Sequence, residues 1–171
     1  MKLRNKRLLI TAIFSLTVFS SCKKNTEADQ QQQIKLVETY LQNLKDGKIS
    51  EAAANIHFTD AEVEAGFPEL FCDAMEGYDY SKYTINGIEP INNSISMAKV
   101  IVNTNFDSAD KANYIDVEFN PYVILYQDTY MLALIKEQVP QCLYEELEEL
   151  PDNYDDNVDY IVIKEGDIIL K

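Results

Sequence analysis

Residues 94–106 read SISMAKVIVNTNF, and this stretch decides the fold class because its Ile, Val and Thr content is typical of a β-strand. Residues 83–88 (YTINGI) have the same character. The turn-forming pairs Glu89-Pro90 and Asn92-Asn93 lie between the two stretches. They therefore predict two neighbouring strands of one sheet.

Two further stretches predict strands. Residues 114–119 (YIDVEF) alternate between apolar and acidic side chains, which predicts a half-buried antiparallel strand with Ile115, Val117 and Phe119 on one face. Asp159–Lys171 (DYIVIKEGDIILK) predicts a closing hairpin around Glu165-Gly166.

The residues before the sheet show helical periodicity. Apolar residues recur at helical spacing from Ile34 to Leu44, and Asp46-Gly47 supplies a stop. Three shorter helices are predicted after it. Their signals are Ser50 as an N-cap, a Thr59/Glu62 capping box before Gly66, and Pro68 opening a helix that ends before Gly77.

The segment between residues 120 and 150 is ambiguous. Residues 122–126 (YVILY) have strong strand propensity, but Asn120-Pro121 is an N-cap followed by Pro at a first helical position. No Gly or Pro interrupts residues 122–138, which is long for a strand. We therefore predict a helix there and a second one over Pro140–Leu150, as a helical insertion before the last hairpin.

The sequence resembles a known domain. Residues 37–56 (VETYLQNLKDGKISEAAANI), a following antiparallel sheet and the closing hairpin at residues 160–170 (YIVIKEGDIIL) are similar to the nuclear-transport-factor-like, or cystatin-like, α+β domain. The resemblance covers residues 34–171 as a single domain. It implies a curved sheet that wraps the N-terminal helices into a cone, often with a pocket at the wide end, and it carries over no functional residue.

The first residues predict the cellular location of the protein. A basic start and a twelve-residue apolar stretch, Leu8–Phe19, are typical of a signal peptide and too short to span a bilayer. Phe19-Ser20-Ser21-Cys22 resembles the lipobox of Bacteroidetes lipoproteins, which implies cleavage after residue 21 and acylation of Cys22. An ordinary secretory signal is the alternative. Residues 22–33 predict a flexible, lipid-anchored tether. We expect the outer membrane, facing the periplasm.

Charge limits the partners. Without the four basic residues of the signal, 11 Lys and Arg remain against 29 Asp and Glu, a net charge of −18. Such a surface repels nucleic acid and favours a basic protein partner.

Few residues suggest chemistry. His57 is the only histidine, which excludes a paired-histidine zinc site, and its nearest acid–base candidate is Asp60. The acidic residues 145–159 suit calcium in type but not in spacing, so a solvated surface explains them better. Cys72 and Cys142 form a disulfide or remain two packed free thiols; the sequence leaves both open.

The tyrosines are assigned to packing. Tyr83, Tyr114 and Tyr122 lie in or beside the predicted sheet and are better explained by core contacts than by a sugar-binding surface.

We therefore predict no catalytic residue, metal or cofactor, and a membrane-tethered, non-catalytic lipoprotein that binds a small molecule, a peptide or an envelope protein. Two alternatives stay open. One is an isomerase or dehydratase of the same fold, and the other is an acidic inhibitory or interaction protein. An enzyme needs inward-facing carboxylates, and the acids of residues 114–119 are predicted to face outward.

Overall fold

The computed structural model describes residues 26–105, 114–145, 147 and 149–153, and the backbone of residues 162–164 and 167–169. Four helices precede seven strands, and two short 3₁₀ helices lie after the fifth strand. The elements are α1 Glu27–Lys45, α2 Ile49–Ala53, α3 Asp60–Glu64, α4 Phe67–Met75, β1 Asp79–Pro90, β2 Ile95–Asn105, β3 Ile115–Phe119, β4 Tyr122–Tyr126, β5 Thr129–Ala133, 3₁₀ helices Lys136–Gln138 and Gln141–Leu143, β6 Val162–Lys164 and β7 Asp167–Ile169. The predicted α+β class, helices on a curved antiparallel sheet, is confirmed.

Helix α1 begins earlier than expected. Thr26 is its N-cap, and a capping box joins Thr26 to Asp29. The Tyr130 hydroxyl also donates to Asp29 Oδ1 at 3.2 Å, which fixes this end of the helix to β5. The prediction of a flexible tether through residue 33 is therefore wrong for residues 27–33, because capping and a tertiary contact order a polar sequence. The predicted stop is confirmed, with Gly47 at φ +69°.

The short helices follow their capping signals unevenly. Thr59 caps α3 through the expected capping box with Glu62, and Pro68 lies in the first turn of α4. Ser50, however, lies inside α2, whose N-cap position is Lys48 with no side-chain hydrogen bond. The expected cap at Ser50 is wrong because the helix starts at Ile49, which is buried in the core.

The sheet is built around the long strand β2. Strand β1 pairs antiparallel along one edge of β2, and β3 and β4 pair along the other. Val100 lies opposite Phe119 and Met97 opposite Tyr122, so the register is unchanged across the break between β3 and β4. Those two strands form one line interrupted at Pro121, which has no N–H to donate. Two bulges in β1 increase the local twist and bend.

The turn between β1 and β2 also differs slightly from expectation. Glu89 and Pro90 belong to β1, and the chain reverses over residues 91–94. Asn92 Oδ1 accepts hydrogen bonds from the backbone N–H of Ser94 and Ile95, each at 2.8 Å.

The helix predicted over residues 122–138 is wrong. The chain forms a β4–β5 hairpin, whose turn residues Gln127 and Asp128 have φ of +49° and +60°. Two consecutive positive φ values are typical of a two-residue hairpin turn. In sequence such a turn is usually recognised by Asn-Gly or Asp-Gly, whereas this turn has Gln127-Asp128. The strand propensity of YVILY, rather than the cap-like Asn120-Pro121, decides the structure.

The helix predicted over Pro140–Leu150 is also wrong. The only helical structure among the described residues after β5 is the two 3₁₀ helices, so the predicted helical insertion is reduced to single turns in an otherwise irregular segment. We call residues 134–153 the covering segment, because it packs against the sheet.

Each face of the sheet carries a buried apolar cluster. The helix-covered face contacts α1, α2 and α4 through a cluster that includes Val37, Leu41, Val100, Val123 and Leu132. On the opposite face, the covering segment packs over the ends of β2, β4 and β5. The buried members there are Ile95, Met97, Tyr122, Ile124, Ala133, Val139 and Leu150.

The strand predicted at residues 114–119 is present as β3, and the described part of the hairpin predicted over residues 159–171 is β6 and β7, which form a separate two-stranded sheet. In β3, Val117 and Phe119 are half-buried, but Ile115 of the same face is 50% exposed at its outer end. Strands β6 and β7 pair antiparallel as a hairpin, and its expected turn at Glu165-Gly166 lies outside the described residues. No described helix is both long and apolar enough to cross a membrane.

Candidate functional site

An open groove lies between α2 and α4 and has a volume of about 540 Å³. One side is formed by residues of α2 and its C-cap, and the other by residues of α4. The connection after α2 forms the floor. The lining residues are Ser50, Ala53, Ala54, Ile56, Phe58, Pro68, Glu69, Cys72 and Asp73. The Phe58 ring packs edge-on against Phe71, with 6.3 Å between the ring centroids, which anchors the floor to the core.

The position of the groove differs from the pocket that the cone-shaped fold implies. Every lining residue belongs to the helices or their connections, and none to the sheet. The space between the helices and the sheet is instead filled by side chains such as Tyr40, Leu41 and Val100, each at most 2% exposed. Tyr40 also stacks on Phe119, with ring centroids 6.0 Å apart.

The charge around the groove has one sign. Glu69 and Asp73 lie one turn apart on α4 and are both exposed. Within the part of the chain that the structure describes, the ion pairs are Lys48–Asp46, Lys99–Glu89 and Lys136–Glu149, so neither carboxylate of the groove is paired. The groove is therefore apolar at its floor and anionic at its rim.

A polar network connects the helix layer to the covering segment. The buried Gln138 side chain accepts a hydrogen bond from Leu134 N at 2.8 Å and donates to Glu62 Oε1 at 3.1 Å. Its backbone oxygen lies 2.8 Å from His57 Nδ1. Because a carbonyl oxygen only accepts, Nδ1 must carry the hydrogen. His57 also contacts Tyr126 edge-on.

This network defines the role of His57. Its ring orients against a backbone carbonyl and an aromatic ring, and its backbone N–H donates to Leu132 O at 2.7 Å. Asp60 lies exposed at the start of α3, and no hydrogen bond or ion pair joins it to His57. The structure therefore does not assemble the His57–Asp60 pair that the sequence offered.

Two aspartate–tyrosine pairs are present elsewhere. The Tyr130 hydroxyl donates to Asp29, and the Tyr114 hydroxyl donates to Asp79. The pKa of Tyr130 is raised, first by burial, and that of Tyr114 is raised, first by its hydrogen bond to Asp79. These four residues are only half-buried, and none lines the groove.

The tyrosines assigned to packing largely hold that role. Tyr122 is fully buried and donates to the Pro151 carbonyl, and Tyr83 packs half-buried against the helix-covered core. Tyr114 contacts Asp79 instead of the core. Burial raises the pKa of Tyr40, and it raises the pKa of Tyr80 together with the nearby phenols of Tyr40 and Tyr78.

The remaining predicted site residues lie apart. Cys72 lies half-buried in the groove, whereas Cys142 is exposed in the second 3₁₀ helix, and both are free thiols. Cys22 lies outside the described residues, as do many of the acids in residues 145–159. The described residues contain no cluster of three potential metal ligands.

Sequence reasoning missed the groove, although a signal for its charge exists. No Lys or Arg occurs between Ile49 and Ser81, while eight Asp and Glu do. Charge runs of this kind mark a one-signed surface. The concave shape is set by how α2 and α4 pack, which no local pattern encodes.

The sequence matches no protein-family model and no curated protein. Three solved structures are similar in fold. They are a cystatin-like domain of unknown function from Nostoc punctiforme PCC 73102 (TM-score 0.48, 13% identity, 74% of this chain and 89% of that one), an NTF2-like protein of unknown function from Shewanella oneidensis MR-1 (0.43, 12%, 60% and 93%) and a candidate NTF2-like transpeptidase from Campylobacter jejuni (0.39, 15%, 59% and 96%). Similarity at this level assigns no ligand or reaction to this chain.

Proposed function

We propose that this chain is a lipid-anchored, non-catalytic binding domain of the bacterial cell envelope, and that its ligand docks in the groove between α2 and α4. The observation that carries the proposal is the groove itself. It is an open concavity with an apolar floor of Ile56 and Phe58, beside Pro68 of α4. Apolar floors with a few polar groups at the rim are typical of binding sites.

The anchor supports the cellular part of the proposal. The basic start, the apolar stretch and Phe19-Ser20-Ser21-Cys22 follow in the order of a lipoprotein signal. Helix α1 begins at Glu27, so only residues 23–26 would separate an acylated Cys22 from the folded domain. Such a short connection, at most about 3.5 Å per residue when extended, holds the domain close to the bilayer.

The arrangement of titratable groups supports binding over isomerase or dehydratase chemistry. Acid–base catalysis in this kind of fold needs a carboxyl or imidazole group whose pKa is shifted inside an apolar pocket. Glu69 and Asp73 instead lie exposed at the rim, and His57 Nδ1 is engaged by the Gln138 carbonyl. The groove is an open concavity whose carboxylates lie in solvent, which supports binding better than acid–base catalysis.

The anchor is tested by Cys22→Ser. The substitution should move the protein from the membrane fraction to the soluble fraction, while Cys142→Ser, at an exposed thiol, should not. Intact mass should show the added acyl chains only when Cys22 is present. Membrane association without added mass would contradict the anchor.

Occupancy of the groove is tested by thiol labelling. With Cys142→Ser in the background, Cys72 is the reporter inside the groove. A docked ligand should slow maleimide labelling of Cys72 several-fold in native membranes relative to the purified protein. The matched control is Cys72→Ser, in which the exposed Cys142 should react equally in both preparations. Equal rates for Cys72 would contradict a groove occupied in the envelope.

A further inference from the structure

We propose that the ligand of the groove is a cationic, amphipathic segment of a partner protein, whose apolar side chains contact the floor and whose Lys or Arg side chains pair with Glu69 and Asp73. This inference rests on the proposed function, because it names the class of ligand for the same groove.

The charge distribution selects a cationic partner. Glu69 and Asp73 are exposed, carry no ion pair within the described part of the chain, and lie in a stretch without Lys or Arg from Ile49 to Ser81. A cation brought by a partner would reduce their mutual repulsion and that of the neighbouring acids. Complementary potentials of this kind steer association and exclude like-charged partners.

The apolar surface selects a partner with side chains to bury. Helix α4 is rich in apolar residues, yet Phe71 is its only fully buried member. Apolar side chains are also exposed outside the groove: Leu70 on α4 is 40% exposed and Val63 on α3 is 55% exposed. A small cation would leave the apolar floor of the groove uncovered, whereas a peptide segment with apolar side chains can cover it.

The same charges disfavour a bilayer as the occupant. The α3–α4 stretch, residues 60–76, contains six acids and no base. Anionic headgroups would be repelled by this surface, and binding to such headgroups ordinarily uses basic residues. A protein segment that brings its own Lys or Arg is the occupant that satisfies both the floor and the rim.

The test uses the membrane-extracted full chain carrying Cys142→Ser, in a nonionic detergent. Three synthetic peptides of equal length serve as probes, alternating Leu with Lys, with Glu or with Ser. We expect the Lys peptide to bind by fluorescence anisotropy and to protect Cys72 from maleimide. Glu69→Gln/Asp73→Asn should weaken its binding about tenfold, the sum of two partly exposed charge pairs.

Two controls separate the site from general charge. Glu38→Gln/Glu118→Gln changes the net charge equally at exposed positions on α1 and β3, and should leave the affinity within about twofold. Ala54→Trp places a large ring at the exposed edge of the groove and should weaken every peptide that binds there. Circular dichroism checks its folding, and Cys72 protection in the unsubstituted groove supplies the same answer if this variant does not fold.

Three results would contradict all or part of the inference. If the Ser or Glu peptide binds as well as the Lys peptide and protects Cys72, the groove binds ligands but the cationic class is wrong. If no peptide protects Cys72, yet vesicles of phosphatidylethanolamine and phosphatidylglycerol do, a bilayer is the occupant and the present inference fails. If the remote charge pair matters as much as Glu69 and Asp73, binding is unspecific and the inference also fails.

Discussion

The two faces of the sheet are buried by different means. On the helix-covered face, Tyr40 and Leu41 of α1 pack against the strands, and Leu132 is fully buried. On the opposite face the covering segment, with only two 3₁₀ turns, buries Tyr122 and Leu150 equally well. Regular secondary structure is therefore not required for a dry contact, provided that backbone polar groups find partners.

Those partners differ between the two faces. The helices satisfy their backbone internally and at capping boxes. The covering segment relies on side chains instead: Asn92, before β2, donates to Leu143 O at 2.8 Å, and Asn153, within the segment, donates to Leu134 O at 2.7 Å. The Gln138 side-chain oxygen accepts from Leu134 N, and the Tyr122 hydroxyl donates to the Pro151 carbonyl. The irregular face thus depends on a few specific polar residues that the helical face does not need.

The largest expected effects come from matched cavities on the two faces. Leu132→Ala should lower the free energy of unfolding by about 3–4 kcal/mol, because it leaves a cavity beneath helices that cannot easily move to fill it. Leu150→Ala should cost about 2–3 kcal/mol, because an irregular segment can partly collapse into the space. Urea unfolding measures both.

The control for these cavities is Leu70→Ala, at a side chain that is 40% exposed. It should change stability by less than about 1 kcal/mol. If Leu150→Ala cost no more than Leu70→Ala, the covering segment would not belong to the cooperative fold, and the proposed equivalence of the two faces would be wrong.

The next effect concerns the amide network. Gln138→Ala leaves the Leu134 N–H without its acceptor and removes the contact to Glu62, so we expect a loss of about 2 kcal/mol. Glu137→Ala, at the exposed neighbouring position, should be nearly neutral. Limited proteolysis should then cut the covering segment of the Gln138 variant before the rest of the chain. If protease cut the covering segment of this variant no earlier than the rest of the chain, the Gln138 contacts would not be what holds the segment in place.

These differences explain what could be predicted from the sequence. The stop at Gly47 and the capping box at Thr59 are local signals, read over a few residues, and both are confirmed. The covering segment is determined by contacts distant in sequence, such as Gln138 with Glu62, 76 residues apart. No periodicity encodes such a contact, so the spacing of Leu143, Leu147 and Leu150 predicts a helix where the chain forms only a 3₁₀ turn at residues 141–143.

Some features of the candidate site could also be predicted from the sequence, and others could not. The exclusion of a paired-histidine zinc site followed from composition, and the acid-rich stretch without Lys or Arg was present in the sequence. The groove was not predictable, because it arises where Ala53 of α2 and its C-cap residue Ala54 lie near Pro68 and Cys72 of α4. That spacing depends on helix packing, which in turn depends on Phe71 and the core beneath it.

Alkaline pH should lower the free energy of unfolding through a tyrosine buried on the helix-covered face. Burial raises the pKa of the Tyr40 phenol above its ordinary value near 10, so the folded state keeps a proton that the unfolded state loses. Its contribution is complete below about pH 10 and is lost as the pH rises further. One pH unit above that value the loss is about 1.4 kcal/mol. Tyr40→Phe should flatten the dependence of the urea midpoint on pH between about 9 and 11; an unchanged slope would contradict this origin.

The smallest expected effect lies in the turn that joins strands with residues on both faces. Gln127 and Asp128 both have positive φ, a conformation in which Asn and Gly are far less strained. Gln127→Asn with Asp128→Gly should therefore raise the free energy of unfolding by about 0.5–1 kcal/mol. Both side chains are exposed, so no core contact is lost. The comparison variant is Gln127→Val with Asp128→Val, which should destabilise the hairpin because β-branched residues avoid positive φ. If the Asn-Gly variant were no more stable than the valine variant, the turn would not set the β4–β5 register, and the packing of Val123 and Ile124 on opposite faces would have to fix it instead.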